Sequence, residues 1–138
     1  MAQSELDMRK ILILFQRRYN AICGVSRLTN ELADALARND EVSVTMVLGM
    51  RADEMARFDD CTEEIWRMCK HGSCETVQKI RRLITSKPDR DTGESPEEEK
   101  IYEIRRKTQT VIDQLRLTDE RLNRKVTGEK SYYGAVAR

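Results

Sequence analysis

Proline and glycine together supply only 8 of 138 residues, which excludes collagen-like and low-complexity chains. Aromatic side chains are scarce, at 5%. Long hydrophobic runs are missing too. The longest, Ile11 to Phe15, is five residues, so nothing here spans a bilayer. Charged residues crowd that run, which is not the layout of a secretory signal. Neither sign of charge is in excess: 25 basic and 24 acidic residues leave +1, without a global pull toward nucleic acid or anionic membrane. Histidine occurs once, and no phosphate-binding glycine loop, nucleophile elbow or HExxH motif is found. The expectation is a soluble cytoplasmic chain without catalytic activity.

What is present is charge, 36% of residues, set between apolar residues at helical spacing. From about residue 5 to 38, Ile11, Leu14, Ala21, Val25, Leu28, Leu32 and Ala35 alternate in threes and fours, broken only by Arg18. Phe15, Ile22 and Leu36 widen the stripe to the apolar face of a bundle helix. Gly24 inside it marks a close helix contact or a slight kink. Asn39-Asp40 is the first punctuation, since Asn tolerates the left-handed position after a helix and Asp caps the next one. A second helix, about 41–70, carries Val44, Leu48, Met55, Phe58, Ile65 and Cys69, with Arg51 and Thr62 in the two missing seam places. A tight antiparallel hairpin is the natural reading, and one uninterrupted helix through Asp40 is the alternative.

His71-Gly72 ends the second helix, and Ser73 caps a short third, 74–84, with Val77, Ile80, Leu83 and Ile84. The polar stretch 85–95 reads as a mobile linker. Ser95-Pro96-Glu97-Glu98 then starts a fourth helix, 96–126, by N-cap, first-turn proline and capping box. Its heptad is Ile101, Ile104, Thr108, Val111, Leu115, Thr118 and Leu122, and 129–138 is a flexible tail. The fold class is therefore all-α, one domain over 1–138, with a long hairpin, a short third helix and a long fourth. Residues 40–72 carry a net −4 and residues 96–138 a net +2, compatible with the second and fourth helices packing side by side.

Candidate chemistry is thin. Cys69, His71 and Cys74 have zinc-ligand types, with Cys61 eight residues upstream. On a continuous helix Cys61 and Cys69 lie about 12 Å apart in rise, too far for one tetrahedral site. Reduced, half-buried thiols are the simpler account, and no metal or cofactor is expected. The pairs Asp53-Glu54, Asp59-Asp60 and Glu63-Glu64 read as a solvated helix face. So do Arg17-Arg18, Arg81-Arg82 and Arg105 to Lys107, with neither helix-turn-helix spacing nor an aromatic platform for nucleic acid. The fourth helix is the open question: its stripe suits self-packing and a partner's helix equally.

The arrangement resembles the FlgN family of flagellar type III export chaperones. The likeness lies in the long first helix with Leu32-Ala33-Asp34-Ala35-Leu36-Ala37-Arg38-Asn39-Asp40 at its end, and in the acidic second helix. The heptad-bearing last helix with Asn123 after Leu122, and the tail Ser131-Tyr132-Tyr133-Gly134, complete it. The resemblance implies a chaperone that holds hook–filament junction proteins unassembled and brings them to the export apparatus. It further implies that a client's C-terminal amphipathic helix packs on Ile104, Val111, Leu115 and Leu122, with Tyr132 and Tyr133 contributing. The competing expectation is a coiled-coil adaptor that homodimerises through the same stripe.

Overall fold

A computed structural model describes residues 2–71, 74–85 and 95–127, all but a few of them α-helical and none in a strand. Helix α1 spans Ala2–Ala37, α2 Glu41–His71, α3 Cys74–Thr85 and α4 Pro96–Thr127. The expected stop at Gly72, the Ser73 cap, most of the 85–95 linker and the tail fall outside the described residues. No described helix is long and apolar enough to cross a membrane.

The chain turns between α1 and α2 as the Asn39-Asp40 pair demands. Asn39 adopts the left-handed conformation, φ 54°. Its N–H donates to the Leu36 carbonyl at 3.1 Å and the Asp40 N–H to the Ala35 carbonyl at 3.0 Å, a Schellman closure. Asp40 then caps α2: Oδ1 accepts from the Ser43 N–H at 3.1 Å and Oδ2 from the Ser43 hydroxyl at 2.6 Å. Those bonds, the hydroxyl first, hold the Asp40 carboxyl below its usual range. Two residues thus end one helix and start the next, and the alternative of a continuous helix is not realised.

Helices α1 and α2 pack antiparallel along their length, and α4 lies mainly against α1. Three apolar clusters stack along the bundle. At the base all four helices meet: Ile11, Leu14 and Phe15 of α1, Ile65 and Cys69 of α2, Ile80 and Leu83 of α3, Ile101 and Tyr102 of α4. Midway, Ile22 and Val25 receive Leu115, flanked by Phe58, Val111 and Ile112. At the hairpin tip Leu28, Leu32 and Ala35 pack on Val44 and Val47. Because its N-terminal residues join the base and Leu115 the middle, α4 runs parallel to α1. Helix α3 stays at the base, its Ile80 and Leu83 packed between the end of α2 and the start of α4, so the chain turns there and climbs again. Ser95 accepts from the Glu98 N–H at 3.3 Å to start α4, and the fully buried Glu98 meets Arg82 of α3, also at 3.3 Å.

Two details differ from the sequence pattern. Met55, placed in the seam by spacing, is exposed, and Glu54 takes that turn instead. Gly24 makes room for it: a Cβ there would stand 3.0 Å from Glu54 Oε2, so the glycine marks close contact. The net charges are compatible with α4 beside α2, but α4 packs mainly on α1. The ion pair joining α2 and α4, Arg51–Asp119, has its cation on the acidic helix and its anion on the basic one.

On the outer face of α2, Val42, Met46 and Met50 are exposed, and nothing lies within 4 Å of a Cβ built on Gly49. Gly49→Ala is therefore expected to stabilise the fold by about 1 kcal/mol, because helix propensity improves with no contact disturbed. Thermal unfolding by circular dichroism should show a midpoint a few degrees higher.

Candidate functional site

The fourth helix presents its heptad inward unequally. Ile101, Thr108, Leu115 and Leu122 are buried, whereas Ile104, Val111 and Thr118 on the adjoining row are half-buried. Ile104 leans on the base cluster and Val111 on the middle one. Four of the six residues assigned to client binding thus face the protein's own hairpin in this conformation. Tyr132 and Tyr133 lie outside the described residues.

Polar side chains interrupt the apolar seam in two layers. In the upper layer the Thr29 hydroxyl donates to the Val25 carbonyl at 2.7 Å, as a threonine buried in a helix commonly does. Arg51 donates Nε to Thr29 Oγ1 at 2.9 Å and Nη2 to Asp119 Oδ2 at 2.8 Å, tying α1, α2 and α4 together. The arginine side chain is 13% exposed and the aspartate 39%, so solvent screens the pair only from the α4 side. Asp119 Oδ1 is nevertheless buried without a hydrogen-bond partner among the described residues. An orphaned carboxylate oxygen costs on the order of 1–3 kcal/mol, which offsets much of what the pair contributes.

The lower layer repeats this chemistry. Arg18 of α1 donates Nε to Thr62 Oγ1 of α2 at 2.9 Å, and that hydroxyl donates to the Phe58 carbonyl at 3.1 Å. The Arg18 guanidinium lies 4.2 Å from the Phe58 ring centroid, a cation–π contact. Sequence reasoning noticed Arg18, Arg51 and Thr62 as gaps in the stripe but did not pair them. The signal was available: Arg18 and Thr29 recur 33 positions later as Arg51 and Thr62. Ile11, Leu14, Val25 and Leu32 recur at the same offset as Val44, Val47, Phe58 and Ile65. The hairpin therefore has an approximate internal two-fold, each arginine meeting the threonine of the opposite helix.

Cys69 is buried and donates its thiol to the Val77 carbonyl at 3.5 Å. The side chains of His71 and Cys74 lie outside the described set. Among the described residues no group of three or more His, Cys, Asp or Glu is placed to hold a metal ion. Cys23 and Cys61 line an open groove of about 710 Å³ on the hairpin, with Arg17, Arg27, Arg57 and Glu54 on its walls. Burial pushes the Cys61 thiol up, which favours the unreactive protonated form. Of the paired acidic residues, Glu64 meets Arg67 one turn on at the surface, whereas Glu54, turned toward Gly24, is half-buried and meets Arg57.

No protein-family model, curated protein or solved structure matches the chain. The arrangement must be read from its own geometry. It offers an apolar row on α4 seated against a hairpin, with two arginine–threonine layers at the seam.

Proposed function

We propose that the protein is a flagellar export chaperone of the FlgN type, acting in the cytoplasm without catalytic activity. It would cover the C-terminal amphipathic helix of a hook–filament junction protein and bring that client to the type III export apparatus. One observation carries the reading: the distal half of α4 buries few side chains. Among the described side chains beyond Ile112 only Leu115 and Leu122 are buried, and the Arg51–Asp119 pair beside them leaves Asp119 Oδ1 without a partner among the described residues. The hairpin at the same level has Leu28, Thr29, Leu32, Ala35, Val44 and Val47 buried. A helix with few buried contacts opens at lower free energy than the elements it covers. Opening frees Val111, Leu115 and Leu122 for a client helix, with Ile104 at the hinge and Tyr132 and Tyr133 extending the surface. A reversible apolar cover is what a chaperone for assembly-prone helices needs.

Calorimetric titration with C-terminal peptides of junction proteins tests this. Saturable binding at micromolar or tighter affinity is expected, weakened by Leu122→Ala. Absence of heat with every junction peptide would end the flagellar reading.

A homodimeric coiled-coil adaptor is the second reading, favoured by exposed Val42, Met46 and Met50 around the open Gly49. It requires a concentration-independent dimer in sedimentation, weakened by Met46→Lys.

A further inference from the structure

The two polar layers begin alike and finish differently. Arg51 uses Nε for Thr29 and a terminal nitrogen for the Asp119 carboxylate. Arg18 uses Nε for Thr62 in the same way, but its terminal nitrogens donate to no described residue and no described carboxylate lies within ion-pair distance. The reason lies in α4. Three turns before Asp119, on the same face, stands Thr108, buried and with its hydroxyl donated to the Ile104 carbonyl at 2.8 Å. The helix that supplies a carboxylate to one arginine supplies none to the other.

The surroundings sharpen the contrast. Burial first, and then the like charge of Arg105, lower Arg18 from the usual arginine range, though an arginine keeps its charge. Asp59 acts in the opposite sense and is the least of the influences named. A half-buried guanidinium is thus held by one threonine at Nε and by a ring at its face. Its remaining edge keeps the fork that suits two oxygens of one anion. Little conformational freedom is left to lose on binding.

We propose that Arg18 anchors an oxyanion-binding site, taking a carboxylate or phosphate on its terminal nitrogens as Arg51 takes Asp119. The site lies between α1 and α2 at the level of Thr108, and the field of Arg105 adds to its attraction for an anion. It does not require the client to be a flagellar protein.

The test is a titration of the full, nitrogen-15-labelled chain, following the Nε–Hε signals of Arg18 and Arg51. Sodium phosphate and, separately, sodium acetate are added at ionic strength held constant with sodium chloride. Arg18 should shift along a saturating curve while Arg51, already occupied by Asp119, stays still. Saturation at lower phosphate than acetate assigns a phosphate site, and the reverse order a carboxylate site. Equal, non-saturating drift of both arginines with both salts would overturn the proposal. Arg18→Gln should weaken the phosphate- or acetate-dependent rise in melting temperature by roughly tenfold or more in concentration. Arg17→Gln, on the exposed neighbouring arginine, should leave it unchanged. A rise that survives in Arg18→Gln also contradicts the site, and should that variant not fold, the wild-type titration decides.

Discussion

Aspartate at both Leu115 and Leu122 is expected to strip the distal half of α4 from the hairpin while the rest of the bundle stays folded. Each leucine is 7% exposed. Truncating such a residue to alanine typically costs about 2–5 kcal/mol, and a carboxylate in its place adds desolvation. Among the described residues no α4 side chain enters the tip cluster of Leu28, Leu32, Ala35, Val44 and Val47. The base keeps Ile101 and Tyr102. In nitrogen-15 spectra, residues 111–127 should therefore move to coil-like positions while 11–69 keep theirs. Circular dichroism should fall only by the helix lost from that segment. Collapse of the whole spectrum would show that α4 is an indispensable part of one core, and the releasable cover would be lost.

Ile101→Ala should behave in the opposite way. Ile101 is fully buried in the one cluster to which all four helices contribute. Its truncation removes apolar contacts there and leaves a cavity, at a cost of about 2–5 kcal/mol. Because every helix depends on that cluster, the loss is global. The melting midpoint should fall on the order of 10 °C, with all helices lost in one transition. A variant that loosened only α4 would mean that the base is not the shared core. Together the two substitutions separate a firmly held root of α4 from a lightly held end.

The four helices were legible because their signals are local. Asn39-Asp40 serves as cap and stop through its own backbone and side-chain bonds, and Ser95 starts α4 by the same chemistry. Buried positions Ile11, Leu28, Leu32, Ile80, Leu83, Ile101 and Leu115 all sit where a 3.6-residue period puts them. Periodicity does not say which helix fills a given gap. Met55 and Glu54 are neighbours on α2, and the absent Cβ of Gly24 on the facing helix leaves room for the glutamate to turn inward. Net charge is a poor guide to where α4 packs, because exposed charges contribute little and the part-buried Arg51–Asp119 contact runs against them. The arginine–threonine layers were hidden for a related reason. Each is a relation between two helices, visible in one dimension only through the 33-residue recurrence.

Native-state hydrogen exchange, read amide by amide in the unliganded protein, tests the central claim most directly. A lightly held α4 predicts that amides of residues 111–127 exchange through a local opening. Their opening free energy should lie several kcal/mol below that of Leu28, Leu32 and Val44, and protection should rise when a client peptide is bound. If instead residues 111–127 exchange only with global unfolding, at the same free energy as the hairpin, α4 is a fixed wall of the bundle and the cover mechanism is contradicted.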